Sequence, residues 1–364
     1  MQAIVLVGGE GTRLRPLTLT QPKPAIRLTD RPFIRLMIDW LAHHGVDEVL
    51  MACGFRAELL RSALGDGDVG GVRIRYTEEP EPLGTAGPLR LAADQGLLSD
   101  RFLALNGDVL ADLDLTALQR AHRESEARAT LALYPVDDPT GYGLVRRAGG
   151  PAAPGAPPAS PGGEVEEFLE KPEPDQIRTD EISAGAYVLE RALLDLVPAG
   201  RAVSIEREVF PRLVGEGLYG HRLEGYWMDI GTPERYLQAS WDILEGRVQT
   251  DVLLEGDAGP LVEDGAQVAA DAAIGKRAVI GTESVVEPAA RVEESVLDSG
   301  CRIGAGAVIS GSILARGVEV GREGRVEAAV IGEGARIEPG AAVAAGARIQ
   351  PGEVVPVGDA AGAA

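Results

Sequence analysis

From residue 262 onward a single spacing governs the chain. Val262, Val268, Ile274, Ile280, Val286 and Val292 recur every six residues without a break. An amphipathic helix needs apolar residues three and four apart, and a half-buried strand needs strict alternation, so neither fits a period of six. Small residues follow four positions later in most cases, as at Ala266, Ala272, Ala278, Ser284 and Ala290. After Val292 a 17-residue repeat takes over: Val292, Ile309, Val326 and Val343; Leu297, Leu314 and Ile331; Ile303, Val320 and Ile337. Spacing six resumes with Ile349 and Val355. Three short segments per turn, each pointing one aliphatic inward, predict a β-solenoid over residues 258–356 whose stacked coils bury a continuous column.

The first 240 residues read differently. "AIVLV" is a buried strand ending at Gly8 and Gly9, "PFIRLMIDWLAHHG" has helical spacing with a terminal glycine, and "VDEVLMAC" is a strand again. "VRIRYTEE", a helix near Gly87 to Gln95 and the strand "RFLALNGDVL" continue the alternation. This is the pattern of an α/β domain, Rossmann-like, with a mostly parallel sheet, helices on both faces and ligands at the carboxyl ends of the strands. Residues 149–163, rich in Pro, Gly and Ala, are expected to form a mobile loop between two strands. Residues 241–257 make a connector, and 357–364 a disordered tail.

Composition narrows the partners. The 35 Lys and Arg against 56 Asp and Glu leave a formal charge of -21, which repels nucleic acid and anionic membranes. A phosphorylated ligand must then be gathered by local cations and metal ions. The two cysteines, Cys53 and Cys301, suit neither a zinc site nor a disulfide framework and read as buried thiols. No apolar run reaches the ~20 residues that cross a bilayer, so a soluble, cytoplasmic protein is expected. Lysine occurs only at Lys23, Lys171 and Lys276, and asparagine only at Asn106. Lys23, Asn106 and Lys171 sit in the short motifs "PKP", "LNGDV" and "FLEKP". An ammonium is not interchangeable with the arginine fork where one phosphate oxygen must be met.

"LVGGEGTRLRPLT" places glycines after a strand and before a helix, where exposed backbone N–H groups can approach a phosphate. It is neither a P-loop nor the dinucleotide fingerprint. Arg13, Arg15 and the "PKP" around Lys23 add cations where a triphosphate would lie. Together with "EPLGTAGPL", "LNGDV", "FLEKP", "SIEREVFP" and "GYWMDIGTPERY", this ordered set resembles the sugar-1-phosphate nucleotidylyltransferases, in particular the mannose-1-phosphate guanylyltransferase branch, from Met1 to about Ala239. The repeats resemble hexapeptide-repeat proteins, which implies a left-handed parallel β-helix, a homo-oligomer and a role in assembly.

The resemblance implies that an oxygen of a hexose 1-phosphate attacks the α-phosphorus of a nucleoside triphosphate and pyrophosphate leaves. Positioning and neutralisation are then the protein's task. By resemblance the nucleotide meets Leu6, Gly8, Gly9, Gly11, Thr12, Arg13, Lys23, Glu79, Gly84 and Thr85. Arg13 holds the departing β- and γ-phosphates and Lys23 neutralises charge at the α-phosphate. The sugar phosphate meets Asn106, Gly143, Glu170, Lys171 and Ser183. Asp108 and Asp229 would ligate Mg²⁺, a hard ion suited to one or two carboxylates plus phosphate oxygens. Arg15 is as well suited to structure as to catalysis. His43, His44, His122 and His221 read as surface or packing residues, since nothing in the chemistry needs an imidazole.

Glu79 lies five residues before Gly84, where pyrimidine-nucleotide relatives carry glutamine. A carboxylate accepts twice and donates nothing, matching the N1 and N2 hydrogens of guanine, so GTP is the expected nucleotide. The branch has Asn-Ala-Gly where this chain has Ser183-Ala184-Gly185. Serine is shorter and lacks the amide's paired donor and acceptor, which leaves glucose 1-phosphate, another hexose or relaxed nucleotide use open beside mannose 1-phosphate. A catalytically silent sensor of nucleotide sugar is the alternative from another class, and retention of Arg13, Lys23 and Asp229 argues against it. Acyl transfer on the coils would need a histidine, and none occurs after His221.

Overall fold

The computed structural model describes residues 1–54, 57–65, 67–250, 252 and 259–358. Most of the tail expected from residue 357, and residues 251 and 253–258 of the expected connector, lie outside the described residues. Two compact, discontinuous units emerge: Met1–Gly9 with Met37–Trp227, and Glu10–Leu36 with Met228–Ala364.

The elements run β1 (Gln2–Leu6), β2 (Arg27–Leu28), β3 (Arg31–Pro32), α1 (Phe33–His43), β4 (Glu48–Cys53), α2 (Ala57–Leu64), β5 (Gly67–Val69), β6 (Val72–Glu78), α3 (Gly87–Asp94), β7 (Arg101–Asn106), β8 (Val109–Ala111) and α4 (Leu115–Ser125). They continue with β9 (Ala129–Pro135), β10 (Gly143–Arg147), β11 (Gly162–Glu170), β12 (Glu181–Glu190), α5 (Phe210–Leu213), β13 (Leu218–Arg222), β14 (Trp227–Asp229) and α6 (Pro233–Leu244).

In the first unit a ten-stranded sheet has the order β10-β11-β13-β9-β12-β7-β1-β4-β6-β5. Its parallel block is β7-β1-β4-β6, the strands expected from the N-terminal alternation. Ala3, Ile4 and Val5 of β1 are wholly buried, as a central parallel strand covered on both faces requires. Beyond β7 the sheet turns mixed. β12 runs antiparallel to both β7 and β9, and β10 and β11 extend the antiparallel part, while β13 lies parallel to β9. The early strands alternate with helices that allow crossovers, whereas the later segments return directly. Ile4, Leu50, Phe102, Leu131, Tyr187 and Phe210 anchor one apolar core beneath this sheet.

Residues 148–161 bridge β10 and β11. Arg147 and Glu181, both side chains wholly buried, form a bidentate pair at 2.9 Å for each bond, and Arg147 Nη1 also donates to Ser160 O at 3.0 Å. A buried guanidinium paired in this way satisfies its donors inside the core.

The second unit carries the solenoid. Its strands are two or three residues long and stack in three parallel ladders: Val262-Ile280-Leu297-Leu314-Ile331-Ile349, Val268-Val286-Ile303-Val320-Ile337-Val355 and Ile274-Val292-Ile309-Val326-Val343. From Val268 to Val355 the aliphatics of the sequence period line one core, while Val262, on the first rung, stays 43% exposed. The change of period has a local cause. One corner loses a residue at Glu294, Gly311 and Ala328, each with a positive φ, and buried hydroxyls serve the tightened backbone there. Ser312 N donates to Ser295 Oγ at 3.0 Å and Ala329 N to Ser312 Oγ at 3.1 Å.

The three outward rows differ. Those of the second and third ladders carry charge, with Arg302, Glu319 and Arg336 on one and Arg291 and Arg325 on the other. The outward row of the first ladder instead carries Val279, Val296, Ile313 and Val330 on its middle rungs, all at most 6% exposed. Along this face lie α6 and the segment 10–36. Arg277 sits 5.2 Å over the Trp241 ring and pairs with Glu245, and Arg27 pairs with Glu263. Tyr236, buried in α6, donates its hydroxyl to Arg27 O.

Candidate active site

In the first unit the carboxyl ends of the parallel strands bring several expected residues together. Leu6 ends β1, directly beside Asn106 at the end of β7, and Gly107 N donates to Leu6 O at 3.0 Å. Gly8 follows β1 so closely against its neighbours that an added Cβ would sit 2.9 Å from Glu79 Oε1 and 3.2 Å from Gly54 N. A side chain there would have to displace the Glu79 carboxylate and crowd the Gly54 backbone. Glu79 is fixed from below, because Leu83 N donates to its Oε2 at 2.8 Å. Partial burial raises its carboxyl above the ordinary range, and that same N–H opposes the rise.

Gly84 bridges to Val203, and its neighbour Thr85 is engaged at both ends of its hydroxyl. Thr85 Oγ1 accepts from Ile205 N at 2.8 Å and donates to Glu206 Oε2 at 2.7 Å. Thr85 therefore ties the "SIEREVF" segment to the loop after β6. Glu206, which also accepts from Ser204 Oγ at 2.9 Å, is a site residue that sequence reasoning missed. It was legible only as one of the two acids in "SIEREVF".

A second cluster forms where β10, β11 and β12 meet. Gly143 pairs with Glu170 across the ladder, and Lys171, exposed and with φ 55°, donates its backbone N–H to Tyr142 O at 2.9 Å. The Glu170 carboxyl is pushed upward by burial and by the charge of Glu206, with Lys171 and Arg207 opposing. Ser183 begins a bulge in β12, where the pairing with β9 skips from Ser183 to Tyr187. Its hydroxyl donates to Tyr187 Oη at 3.4 Å. Tyr187 is wholly buried, and burial together with Glu206, Glu170 and Asp108 pushes its phenol up. Asn106 lies against Gly185 of the same bulge. Trp227 donates from Nε1 to Ala184 O at 2.8 Å, stacks on Tyr134 at 5.7 Å and meets Tyr142 edge-on at 5.3 Å. Tyr187, Tyr134 and Tyr142 carried no sequence signal, and Trp227 only as part of "GYWMDIGTPERY".

The second unit holds the cations of the loop. Gly11 takes φ +62°, and an added Cβ would sit 2.8 Å from Thr18 Cγ2 and 3.2 Å from Lys23 Cβ. Thr18 Oγ1 donates to Gly11 O at 2.9 Å, so the loop folds back on itself with Lys23 buried between Pro22 and Pro24. Thr12 and Arg13 are exposed. Arg13 Nη2 reaches 4.0 Å from Asp229 Oδ2, an oxygen that Arg235 approaches to 3.2 Å, while Gly231 N donates to Asp229 Oδ1 at 2.8 Å. Arg15 pairs with Glu10 at 3.1 Å, both side chains exposed. Among the described residues no three His, Cys, Asp or Glu side chains gather into a metal cage.

The remaining expectations concern packing. His122 is buried, with Nδ1 2.8 Å from Thr130 Oγ1 and Nε2 3.2 Å from Glu190, and burial lowers its pKa. Burial also lowers those of His44 and His221. Cys53 and Cys301 are buried thiols pushed up to about 12. No described helix is long and apolar enough to cross a membrane.

Residues 2–246 match the family model described as "Nucleotidyl transferase", and residues 261–360 the model described as "EIF2B subunit epsilon LbH domain", a left-handed β-helix. The chain is 38% identical to "Mannose-1-phosphate guanylyltransferase" of Mycobacterium tuberculosis, over 85% of this chain and 83% of that protein. It is 35% identical to "Probable mannose-1-phosphate guanylyltransferase 3" of Oryza sativa subsp. japonica, over 90% and 89%. The crystal structure of HddC from Yersinia pseudotuberculosis superposes with a TM-score of 0.55 at 24% identity, covering 66% of this chain and 99% of its own, a likeness of fold.

Proposed function

The chain belongs to the nucleotidyl transferase family, and we propose that its reaction joins GTP to mannose 1-phosphate, yielding GDP-mannose and pyrophosphate. The observation that carries this choice of substrates is the 38% identity, over 85% of this chain, to a relative that bears the name of that activity. In the reaction a phosphate oxygen of the sugar attacks the α-phosphorus as the bond from that phosphorus to the bridging oxygen breaks. Pyrophosphate carries away the electron pair.

The residues take roles by their chemistry. Glu79, with Oε2 on Leu83 N and Oε1 beside Gly8, offers an acceptor face to the guanine N1 and N2 hydrogens. Leu6, Gly8, Gly9, Gly11, Thr12 and Gly84 shape the nucleotide's path, with Thr85 holding Glu206 and the segment beyond it. Arg13 and Lys23 neutralise the triphosphate, and Lys171 the sugar phosphate. Glu170 accepts from sugar hydroxyls. Ser183, Asn106 and Gly143 border it, with the Ser183 hydroxyl oriented by the buried Tyr187 phenol behind it.

For the divalent metal we propose Mg²⁺, with Asp108 and Asp229 as its carboxylates. Both are hard oxygen donors, and an ion that takes its other ligands from phosphates and water needs no three-carboxylate cage. When bound, Mg²⁺ offsets phosphate charge as the α-phosphorus is attacked. The charged outer rows of the solenoid suit self-association, and a cytoplasmic setting suits the two thiols.

A matrix of five nucleoside triphosphates against several hexose 1-phosphates, with and without Mg²⁺, tests this by pyrophosphate release. The expected result is fastest release from GTP with mannose 1-phosphate and none without a divalent ion. Silence across the whole matrix would overturn it in favour of a nucleotide-sugar sensor.

A further inference from the structure

Arg348 lies on the first ladder of the solenoid, immediately before its inward residue Ile349. On the four rungs before it the outward row holds the buried aliphatics Val279, Val296, Ile313 and Val330. An arginine replaces them at the last rung of that row. Its Nη1 donates to two main-chain carbonyls of the loop, Arg13 O and Arg15 O, each at 2.8 Å. Those oxygens flank Leu14, whose side chain is buried, so the loop is pinned on either side of one fixed residue. At Arg13 the carbonyl faces Arg348 while the guanidinium extends to within 4.0 Å of Asp229.

We propose that Arg348 is a positioning residue: through the carbonyls of Arg13 and Arg15 it fixes the loop so that the Arg13 guanidinium is presented to the leaving phosphates. This rests on the proposed role of Arg13 in nucleotide binding. Physically, a charged donor shared by two carbonyls gives one side chain control of the backbone on both sides of residue 14. An unpinned loop would have to order itself on each encounter with nucleotide, and that ordering opposes binding. The role concerns the nucleotide and leaves sugar-phosphate binding alone. Arg348 also adds to the field that holds the Glu234 carboxyl low, behind the stronger effects of Glu234's own backbone N–H and the Thr232 hydroxyl.

The test uses the full chain with Arg348→Met, which keeps the apolar stem, Arg348→Lys, and Arg336→Met as a control. Arg336 pairs with Glu319 at 3.0 Å on an exposed charged row. Amide hydrogen exchange over residues 10–20 is expected to rise about tenfold in Arg348→Met, as loss of two charge-assisted bonds at an exposed site implies. The KM for nucleotide should rise by a similar factor while the KM for sugar phosphate stays put. Arg348→Lys should recover part of both effects, and Arg336→Met should show neither. Unchanged exchange over residues 10–20, or equal effects in the control, would overturn the proposal. If the wild type releases no pyrophosphate from any nucleotide, raised exchange would still uphold the pin while the proposed activity fails.

Discussion

Glu79 enters the site with one oxygen already engaged by Leu83 N, which leaves Oε1 to make the difference between bases. In Glu79→Gln the amide must orient one donor and one acceptor. Either its NH₂ confronts the Leu83 N–H or it faces the guanine hydrogens. Expected is a loss of about tenfold or more in kcat/KM for GTP, the scale of one good base-edge contact, with smaller changes for other nucleotides. Equal losses for all nucleotides would remove Glu79 from base recognition. At this scale the sequence marks what is chemically odd: Lys23 and Lys171 in an arginine-rich chain, Asn106 as a lone asparagine, and glycines where a Cβ cannot fit. It marks Glu206 and Trp227 only as members of longer motifs, and Tyr187 not at all. Tyr187 reaches the site through strand pairings, Glu206 through the Thr85 hydroxyl and Trp227 through Ala184 O, all of high or moderate sequence separation.

The solenoid strands are too short to hold register by themselves, so the inward column must do so. Leu314, wholly buried between Leu297 and Ile331 in its ladder, is the test residue. Leu314→Ala should cost about 2–5 kcal/mol in denaturant unfolding. Val354→Ala, at an outward site 52% exposed, should stay within about 0.5 kcal/mol. A similar cost for both would mean that the inward column does not carry the stability. The period was legible because each inward position admits only an aliphatic. The tightened corner showed as the change from 18 to 17 residues per coil, but its cause did not, since Ser295 and Ser312 look like any turn serines until their hydroxyls are seen to accept the next coil's N–H. In the sheet, the parallel block was legible from strand-helix alternation. The antiparallel part was not, because nothing local says which way β12 runs.

At the scale of the molecule, residues 10–36, α6 and the coils make one compact unit although they lie far apart in sequence. Arg348 was invisible here for the opposite reason to Glu206: Arg291, Arg302, Arg325 and Arg336 occupy the same place before an inward aliphatic, so nothing distinguished it. HddC, which this chain covers over 99% of its length with 66% of its own, shows that the first fold can stand without coils. This chain has α6 buried nearly all round, a state that calls for cover on more than one side. A version ending at residue 250 should therefore aggregate on size exclusion and release no pyrophosphate. A monodisperse, active fragment would show that α6 and the loop need no support from the coils.

The first ladder also measures distance. From Val262 to Ile349 it climbs five rungs, about 24 Å at ~4.8 Å per rung, between the anchor where Glu263 holds Arg27 and the point where Arg348 grips the loop. Excising one whole coil would keep the remaining inward aliphatics in register and yet leave the far grip a rung short of its target. The count of turns is thus a gauge that evolution can alter only in step with the length of the segment it spans.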